Sequence, residues 1–382
     1  MTHSPSPTNT IPSPCFVLDE TKFIANLNCL NDFQNSAGVQ IIPALKGFAM
    51  WKAFSHYKNF KSASASSLNE ARLAHEKLNC SSHIYSPAYS ETEFKALQPF
   101  AHTITFNSLS QLNYFNSLSL LNPDIQYGLR INPGYSPVEQ AIYNPCSKDS
   151  RLGVPLESLP SQLPSPLTGL HLHNLCESNS QDLEKTLLIL EKEIPHWLHQ
   201  IQWINLGGGH LITDKSYNQA HAIKLLQAFK SKYSLHIILE PGAAFAWQAG
   251  TLHCTVLDVI SYDHLKTALL DISFSAHLPD CLEMPYLPEI EGATLNQDKS
   301  LKHLYQLGGN TCLAGDRIGT YHFEKELKVG DKLIFKDMLH YTMVKTNFFN
   351  GVQHPSMGQI TQQGNFELWK EFSFKDYLNK LS

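Results

Sequence analysis

The chain has 382 residues, of which 42% are hydrophobic and 16% charged, and its formal net charge is −5 at pH 7. Such a composition is typical of a globular protein long enough for two domains, or for one large barrel with an appendage. The negative charge argues against nucleic acid or an anionic membrane as the main partner. No stretch approaches the ~20 apolar residues of a membrane span. The eight cysteines include no CxxC pair, which indicates reduced thiols in a cytoplasmic protein.

The N-terminal residues 1–13 are polar and rich in Ser, Thr and Pro, without the apolar core of a signal peptide. We predict a flexible leader there. The apolar run Cys15–Leu18 predicts a short strand, and we expect residues 14–20 to join a β domain formed farther along the chain. The spacing over Glu20–Phe33 predicts the first helix.

Eight short apolar runs, each leading into a polar residue or a glycine, recur over residues 21–245. They are VQIIPAL before Lys46, NFKSAS, HIYS, HTITF, IQYGL before Arg130, GLHLH before Asn174, IQWINL before Gly207, and HIIL before Glu240. Helical segments separate most of them. These include Ser67–Leu78 with a capping box, a segment capped by Ser108, Asp182–His199, and the stripe of Ile223, Leu226 and Phe229. The alternation predicts a (β/α)₈ barrel, with a doubly wound open sheet as the competing architecture.

Beyond residue 245 the pattern changes. Alternating apolar residues over Gly250–Ile260, an apolar run over Thr267–Phe274, and a turn before KLIF all predict strands. Helical patterns become scarce until Phe374–Leu381. We therefore predict that residues 246–382 form a second, mostly β domain.

The ends of the predicted barrel strands carry chemically useful residues, which is where barrels place their active sites. A lysine such as Lys46 either snorkels from a strand end or is an amine of lowered pKa that forms a Schiff base. The triple glycine Gly207–Gly209 is either a phosphate-binding loop or a tight turn. Glu240 either holds a pyridine nitrogen or pairs with Arg130.

Other candidates also have two or more interpretations. His171 and His173 point to the same side of a strand, so they are structural or metal ligands, or His173 stacks over a cofactor ring. Asp271, Asp280 and Glu283 lie in an otherwise apolar stretch, where they bind a cationic substrate or belong to a solvated loop. Cys312, in the glycine-rich GGNTCLAGDRIGTY, is a functional residue or an inert buried thiol.

Taken together, these motifs resemble the alanine-racemase-fold, pyridoxal-phosphate-dependent decarboxylases, over about Cys15 to Met357. Lys46 in PALK looks like the family's Schiff-base lysine, and Arg130 in LRIN like its strand-end arginine near the cofactor. His173 in LHLHN falls on the ring-stacking histidine. NLGGG, with Gly207, Gly208 and Gly209, resembles the phosphate-binding glycines, and Glu240 in LEPG the glutamate on the pyridine nitrogen.

The resemblance extends into the C-terminal part. Cys312 and Asp316 in NTCLAGDRIG look like the loop that the family inserts into the partner subunit's site, and Tyr341 matches a tyrosine that reaches the cofactor phosphate. This implies a homodimer with active sites at the interface. The resemblance also implies pyridoxal 5′-phosphate as cofactor, with Cys312, or a water that it positions, returning a proton after decarboxylation.

At two positions this chain departs from other members of the family, and these differences narrow the branch that it resembles. Ala243 stands where the ornithine and diaminopimelate enzymes place an arginine, and Leu313 replaces an acid after Cys312. The stretches HLHNLCES, EPGAAFAW and LLDISFSAHLPDCLEMPY look most like the carboxynorspermidine and carboxyspermidine decarboxylase branch. That branch implies a polyamine substrate and makes Asp271 the first candidate for its amine. Three further candidates are Asp316, Asp280 and Glu283.

Three alternatives stay open at this point. The first is decarboxylation of diaminopimelate or another basic amino acid. The second is a metal-dependent barrel hydrolase that uses His171 and His173 as ligands. The third is a catalytically silent homologue, against which the presence of both Lys46 and Cys312 argues.

Overall fold

The computed structural model describes residues 10–141, 143–263, 265–295 and 302–382, so most of the predicted leader lies outside the described residues. The chain divides into two compact units. The barrel unit is Asn26–Phe245, and the β unit combines the residues up to Ala25 with Ala246–Ser382. Within the described residues, no helix is long and apolar enough to cross a membrane.

Strands and helices alternate through the barrel unit, whereas strands predominate in the β unit. In chain order, the strands are β1 (Cys15–Asp19), β2 (Gln40–Ile41), β3 (Ala63–Ala65), β4 (Ser82–Tyr85), β5 (Ala101–Phe106), β6 (Gln126–Asn132), β7 (Val154–Pro155), β8 (Leu167–His171), β9 (Trp203–Asn205), β10 (His236–Leu239), β11 (Gly250–Ser261), β12 (Lys266–Leu270), β13 (Ala293–Thr294), β14 (His303–Gly308), β15 (Arg317–Phe323), β16 (Lys332–Lys336), β17 (Ser356–Ile360) and β18 (Phe366–Lys370). The helices are α1 (Glu20–Ala37), α2 (Leu68–Leu78), α3 (Glu91–Leu97), α4 (Leu109–Ser117), α5 (Ser180–Glu193), α6 (Pro195–Leu198), α7 (Gln219–Tyr233), α8 (Ala243–Ala246), α9 (Phe274–His277), α10 (Pro279–Glu283) and α11 (Phe374–Leu381).

The barrel unit is built on eight parallel strands in the order β2-β10-β9-β8-β6-β5-β4-β3. Each of the eight predicted apolar runs overlaps one of these strands. A parallel bridge between Ala44 and Ser64 links the segment after β2 to β3, so the two ends of the sheet meet. The predicted barrel is therefore confirmed, and the competing open sheet is excluded.

Trp203 is a large buried side chain of the barrel unit, on the same side of β9 as Asn205. A Cβ atom at Gly169 would overlap the Trp203 ring, and one at Gly128 would lie within 3.0 Å of it. The indole N–H donates to Thr168 Oγ1 at 3.1 Å. Two glycines on neighbouring strands thus make room for one large side chain below the strand ends.

Two predictions about helices need correction, one of a capping box and one of a helix length. Ser67 accepts from the Glu70 N–H, but the Glu70 carboxylate accepts from the Ser66 N–H at 2.6 Å, so the predicted box is shifted by one residue. The single helix predicted over Asp182–His199 is wrong, because α5 ends before Ile194 and α6 starts at Pro195. Proline lacks an amide hydrogen and disfavours helical geometry in the preceding residue.

The β unit contains a sheet with the strand order β13-β15-β14-β12-β11-β1-β17-β18, with β16 also paired to β11. Strand β1 lies between β11, antiparallel to it, and β17, parallel to it. The strand predicted over Thr267–Phe274 is wrong at its end, because β12 stops at Leu270. Ser273 accepts from the Ala276 N–H and starts α9 at Phe274. A short apolar run does not by itself distinguish strand from helix.

Candidate active site

Five polar side chains meet at the carboxyl ends of the barrel strands, and we call them the strand-end cluster. Parallel strands of a barrel present these ends on one face, so residues distant in sequence converge there. The sequence singled out all five of them as candidates. Their positions are Lys46 after β2, Arg130 within β6, His171 at the end of β8, His173 two residues later, and Glu240 directly after β10.

Lys46 and His173 form the centre of this cluster, with Lys46 Nζ 3.4 Å from His173 Nε2. Gly208 donates its N–H to His173 Nδ1 at 3.0 Å, so Nδ1 carries no proton. Burial lowers the pKa of His173 well below its usual value, and the neutral ring therefore carries its proton on Nε2. That N–H faces Lys46, and only a neutral amine can accept it. Burial also lowers the pKa of Lys46, although Glu240 opposes this effect.

The triple glycine is required by the backbone. Gly207 and Gly209 have φ values of +72° and +86°, which L side chains rarely adopt. A Cβ atom at Gly208 would lie 2.5 Å from the Glu240 carbonyl oxygen. Gly207 donates its N–H to Asn205 Oδ1 at 2.9 Å, and the Gly208 N–H is used by His173. Of the three amides predicted to bind phosphate, only that of Gly209 therefore lacks a hydrogen-bond acceptor among the described residues.

Glu240 is a buried carboxylate held from one side only. Its Oε1 accepts from Asn205 Nδ2 at 2.6 Å, whereas the nearest basic atom to Oε2 is His171 Nε2, at 3.7 Å. Burial alone would raise the pKa of Glu240, but the neighbouring His171 and the hydrogen bond from Asn205 lower it to about 2. Glu240 is therefore an ionised carboxylate, and no donor among the described residues lies within hydrogen-bond distance of Oε2.

Arg130 is buried and does not pair with Glu240. Its Nη2 donates to the His173 carbonyl oxygen at 3.3 Å, and its guanidinium lies 4.5 Å from the centre of the Tyr85 ring. Tyr85 in turn donates to Asn107 Oδ1 at 2.8 Å. Arg130 thus adds a fixed positive charge at the strand ends, which favours an anionic ligand.

The metal interpretation has a geometric basis but a poor donor set. Ligand atoms of His171, His173 and Glu240 lie within 4.8 Å of one another. A tetrahedral zinc ion with bonds of about 2.1 Å needs its ligand atoms about 3.4 Å apart. Both nitrogens of His173 already face Gly208 and Lys46, and the neighbouring Arg130 would repel a cation. The arrangement therefore disfavours a metal ion.

The acids predicted to bind substrate all belong to the β unit. Asp271 accepts from Ser13 Oγ and from the Thr255 N–H, each at 2.7 Å. Asp280 is buried, and its Oδ2 accepts from Tyr286 and from Thr342.

The other two acids differ sharply in exposure. Asp316 is buried and accepts hydrogen bonds at both oxygens. Glu283 is exposed and lies 2.6 Å from Lys345 Nζ. Of the four, Glu283 is the exposed residue, Asp271 is half-buried, and the other two are buried.

Cys312 and Tyr341 also lie in the β unit. Cys312 is an exposed thiol in the loop between β14 and β15, and its N–H donates to Asn350 Oδ1 at 3.4 Å. Tyr341 follows β16 in a left-handed backbone conformation, with φ of +59°. A non-glycine residue in this region is strained, and such residues cluster at functional sites.

Sequence reasoning missed Asn205 and Tyr85. Asn205 bridges two functional elements, because its amide donates to Glu240 and its oxygen accepts from Gly207. Asn205 and Tyr85 are the last residues of β9 and β4. The rule that found Lys46 and Glu240 would have found both, had it been applied to every strand end rather than only to charged and glycine residues.

Comparison with known proteins agrees with this geometry. Residues 15–338 match the family model described as "Pyridoxal-dependent decarboxylase, C-terminal sheet domain". The chain is 49% identical to a carboxyaminopropylagmatine decarboxylase of Synechocystis, over 98% of this chain and 96% of that protein. It is 37% identical to a carboxynorspermidine/carboxyspermidine decarboxylase of Campylobacter jejuni, over 96% of this chain and 98% of that protein. A crystal structure of C. jejuni carboxynorspermidine decarboxylase with norspermidine superposes with a TM-score of 0.89, at 36% identity, covering 97% and 100% of the two chains.

Proposed function

Because this chain belongs to the pyridoxal-dependent decarboxylases, we propose that it removes the carboxyl group from the amino-acid head of a carboxylated polyamine. Carboxynorspermidine and carboxyspermidine are the first candidates, with norspermidine and spermidine as products. The named relatives and the norspermidine complex of the C. jejuni enzyme support them. The observation that carries the proposal is the convergence of Lys46, His173, Glu240 and the triple glycine.

A second candidate substrate was not considered from the sequence. The Synechocystis relative, at 49% identity, is a carboxyaminopropylagmatine decarboxylase, whereas the carboxynorspermidine enzyme of C. jejuni is 37% identical. The two kinds of substrate share the amino-acid head and differ at the far end, which is a guanidinium in the agmatine derivative and an amine in the others. Both belong to the same proposed reaction class.

The strand-end cluster fits pyridoxal 5′-phosphate. When bound, this cofactor supplies an electrophilic aldehyde and a ring that accepts the electron pair released with carbon dioxide. Lys46, whose pKa is lowered by burial, would bind the aldehyde, and the free Oε2 of Glu240 would hold the ring nitrogen. His173 would pack on the ring, with Arg130 beside it. The phosphate would meet Gly207–Gly209, chiefly the Gly209 amide, and Tyr341.

The chain's own residues also control protons around this group. The Nε2–H of His173 keeps Lys46 as a hydrogen-bond acceptor, so the amine is ready to act as a nucleophile. Asn205 holds Oε1 of Glu240 by a hydrogen bond, so the carboxylate keeps one orientation. Cys312, or a water that it positions, would return a proton to the carbon that has lost its carboxyl group.

For the cationic tail, Glu283 is the best supported of the four predicted acids. Its ion pair with Lys345 is solvent-exposed, and exposed pairs contribute only about 0–1 kcal/mol, so a substrate cation can replace the lysine. Asp280 is buried, so solvent does not reach its carboxylate even though Oδ1 has no hydrogen-bond partner among the described residues, and both oxygens of Asp271 already accept hydrogen bonds. The cationic substrate would therefore meet Glu283 first.

The remaining parts of the proposal rest on the resemblance. We propose a homodimer in which Cys312 and its loop complete the partner's site, and a cofactor-binding domain over residues 21–245. The described residues include all eight cysteines, and each is a free thiol, which supports a cytoplasmic location.

The decisive experiment measures carbon dioxide release from five substrates: carboxynorspermidine, carboxyspermidine, carboxyaminopropylagmatine, diaminopimelate and ornithine. We expect one of the first three to give the highest kcat/KM, with a visible cofactor band in the purified protein. A clear preference for diaminopimelate or ornithine would contradict the proposed substrate class. Stoichiometric zinc without that band would instead favour the hydrolase.

A further inference from the structure

The loop between β14 and β15, residues 309–316, carries Cys312 and is exposed at its tip. Four consecutive residues of the tip, Cys312–Gly315, are exposed, so apolar burial contributes little to their conformation. Polar contacts at the base of the loop must therefore determine where Cys312 lies. Most of these contacts converge on one buried side chain, that of Asp316.

Asp316 closes the loop from within. Its Oδ2 accepts from Thr311 Oγ1 at 2.5 Å and from the Thr311 N–H at 3.1 Å. Its backbone carbonyl accepts from the Gly309 N–H at 2.7 Å, and its own N–H donates to the Leu313 carbonyl at 2.9 Å. Thr311 directly precedes the tip, and Asp316 directly follows it. Because Asp316 binds Thr311, one side chain fixes both ends of the tip.

The second carboxylate oxygen ties the loop to the start of α9. Asp316 Oδ1 accepts from the Phe274 N–H at 2.7 Å, and from Ser273 Oγ and the Ser275 N–H, each at 3.1 Å. The Asn310 N–H donates to the Ile272 carbonyl at 3.0 Å, and this hydrogen bond joins the same two segments. The loop is therefore anchored to a second segment of the β unit.

These contacts leave no place for a substrate amine. The carboxylate accepts five hydrogen bonds, and an ionised carboxylate has about four lone-pair sites. A Cβ atom at Gly309 would overlap the carboxylate, so the backbone also closes that side. An ammonium group could reach Asp316 only by displacing donors that would then be buried and unpaired.

We infer that Asp316 is a positioning residue that orders the loop of Cys312, and that it does not contact the substrate. This inference rests on the proposed function, because the position of Cys312 matters only if Cys312 takes part in the reaction. It replaces the substrate-binding role that the sequence suggested for Asp316.

The test is a double-mutant cycle on the holoenzyme with Asp316→Asn and Cys312→Ala. The amide nitrogen of asparagine cannot accept a hydrogen bond, so either the two Thr311 donors at Oδ2 or the three donors at Oδ1 lose their acceptor. A general acid contributes about 10²- to 10⁴-fold, so we expect Asp316→Asn to lower kcat about 10- to 100-fold. We expect KM to stay within about twofold. In the Cys312→Ala background, the same change should alter kcat less than about twofold.

A second readout reports loop order without turnover. Hydrogen–deuterium exchange of the peptide covering residues 309–316 should be about tenfold faster in Asp316→Asn than in the native enzyme. Asp331→Asn is the matched control, since it makes the same charge change at an exposed turn of the same unit. It should leave both kcat and exchange unchanged. If Asp316→Asn does not fold, Thr311→Val removes one donor and should change both readouts in the same direction.

The outcomes separate this inference from the proposed function. A raised KM with native kcat and native exchange would make Asp316 a substrate contact and overturn the inference. Native exchange in Asp316→Asn would overturn it whatever the kinetics of Cys312→Ala. Native kcat in Cys312→Ala would instead remove Cys312 from the proposed reaction, while the exchange data would still decide whether Asp316 orders the loop.

Discussion

The strand-end cluster of the barrel unit and the Asp316 loop of the β unit treat buried polar groups in opposite ways. Asp316 accepts five hydrogen bonds, whereas Glu240 accepts one, at Oε1 only. Both ring nitrogens of His171 and the Oδ1 of Asn174 are also buried, and no described residue is their hydrogen-bond partner. Buried polar groups in proteins are normally paired, so unpaired atoms need an explanation. Saturated contacts indicate a structural carboxylate at Asp316, whereas the unpaired atoms grouped around His171 and Glu240 indicate a site that a ligand completes; Asp280, whose Oδ1 is also buried and unpaired within the described part of the chain, falls between these two cases.

The largest expected effect comes from removing the amine of the strand-end cluster. Lys46→Ala should abolish the visible cofactor band and lower kcat by about 10³-fold or more, because the covalent bond to the aldehyde is lost. Absorbance spectra and carbon dioxide release would be measured on the same preparations. Lys58→Ala, at an exposed lysine, is the matched control. Persistence of either the band or turnover in Lys46→Ala would count against the assignment of Lys46.

A smaller effect is expected from the bridge between Glu240 and the triple glycine. Asn205→Ala removes the amide that holds Glu240 Oε1 and lowers its pKa, so the carboxylate becomes more mobile and its pKa rises. Loss of one buried hydrogen-bond partner costs about 1–3 kcal/mol, so we expect kcat/KM to fall about 10- to 100-fold.

The cofactor band gives the independent readout for Asn205. Its pH dependence should shift in Asn205→Ala, and dialysis should remove cofactor faster than from the native enzyme. Asn365→Ala, in the turn between β17 and β18, is the matched amide control. An unchanged band, together with native cofactor retention, would show that Asn205 has no role in positioning Glu240.

The residues of the strand-end cluster could be predicted from the sequence, whereas the hydrogen bonding of the acids in the β unit could not. Each barrel strand is a short apolar run that ends in a polar residue, so local pattern located Lys46, Arg130 and Glu240. The saturation of Asp271 and Asp316 could not be anticipated, because each accepts from at least one donor that lies far away in sequence. Ser13 is 258 residues from Asp271, and Ser273 is 43 residues from Asp316. A list of acids in an apolar stretch therefore could not distinguish structural carboxylates from available ones.

A third prediction concerns stability, because burial in the barrel unit lowers the pKa of His210. Burial lowers the pKa of His210 to about 4, although the Leu206 backbone opposes this effect. The unfolded chain binds a proton at a higher pH than the native state, so His210 stabilises the fold above pH 6.5. That contribution is lost as the pH falls from 6.5 toward 4.

The measurement compares urea unfolding of native protein and His210→Leu at pH 7 and pH 5. Native protein should lose about 2 kcal/mol of unfolding free energy more than the variant over this interval. His196→Leu, at an exposed histidine, is the control and should follow the native pH dependence. Parallel curves for native protein and His210→Leu would mean that His210 is not held neutral.

The smallest expected effect tests the one exposed acid of the four predicted to bind substrate. Glu283→Gln removes a carboxylate whose only described ion pair is with Lys345, and exposed pairs contribute about 0.2–1 kcal/mol. We therefore expect KM for the polyamine substrate to rise about two- to fivefold, with kcat and the cofactor band unchanged. Raising the salt concentration should reduce the difference between the two enzymes, because screening weakens the attraction between exposed charges.

Asp271→Asn provides the contrast, since both of its oxygens are already engaged within the β unit. It should lower stability and leave KM near the native value. A larger KM increase for Asp271→Asn than for Glu283→Gln would reverse the roles of the two acids. In that case, hydrogen-bond saturation would no longer separate structural carboxylates from those that meet the substrate.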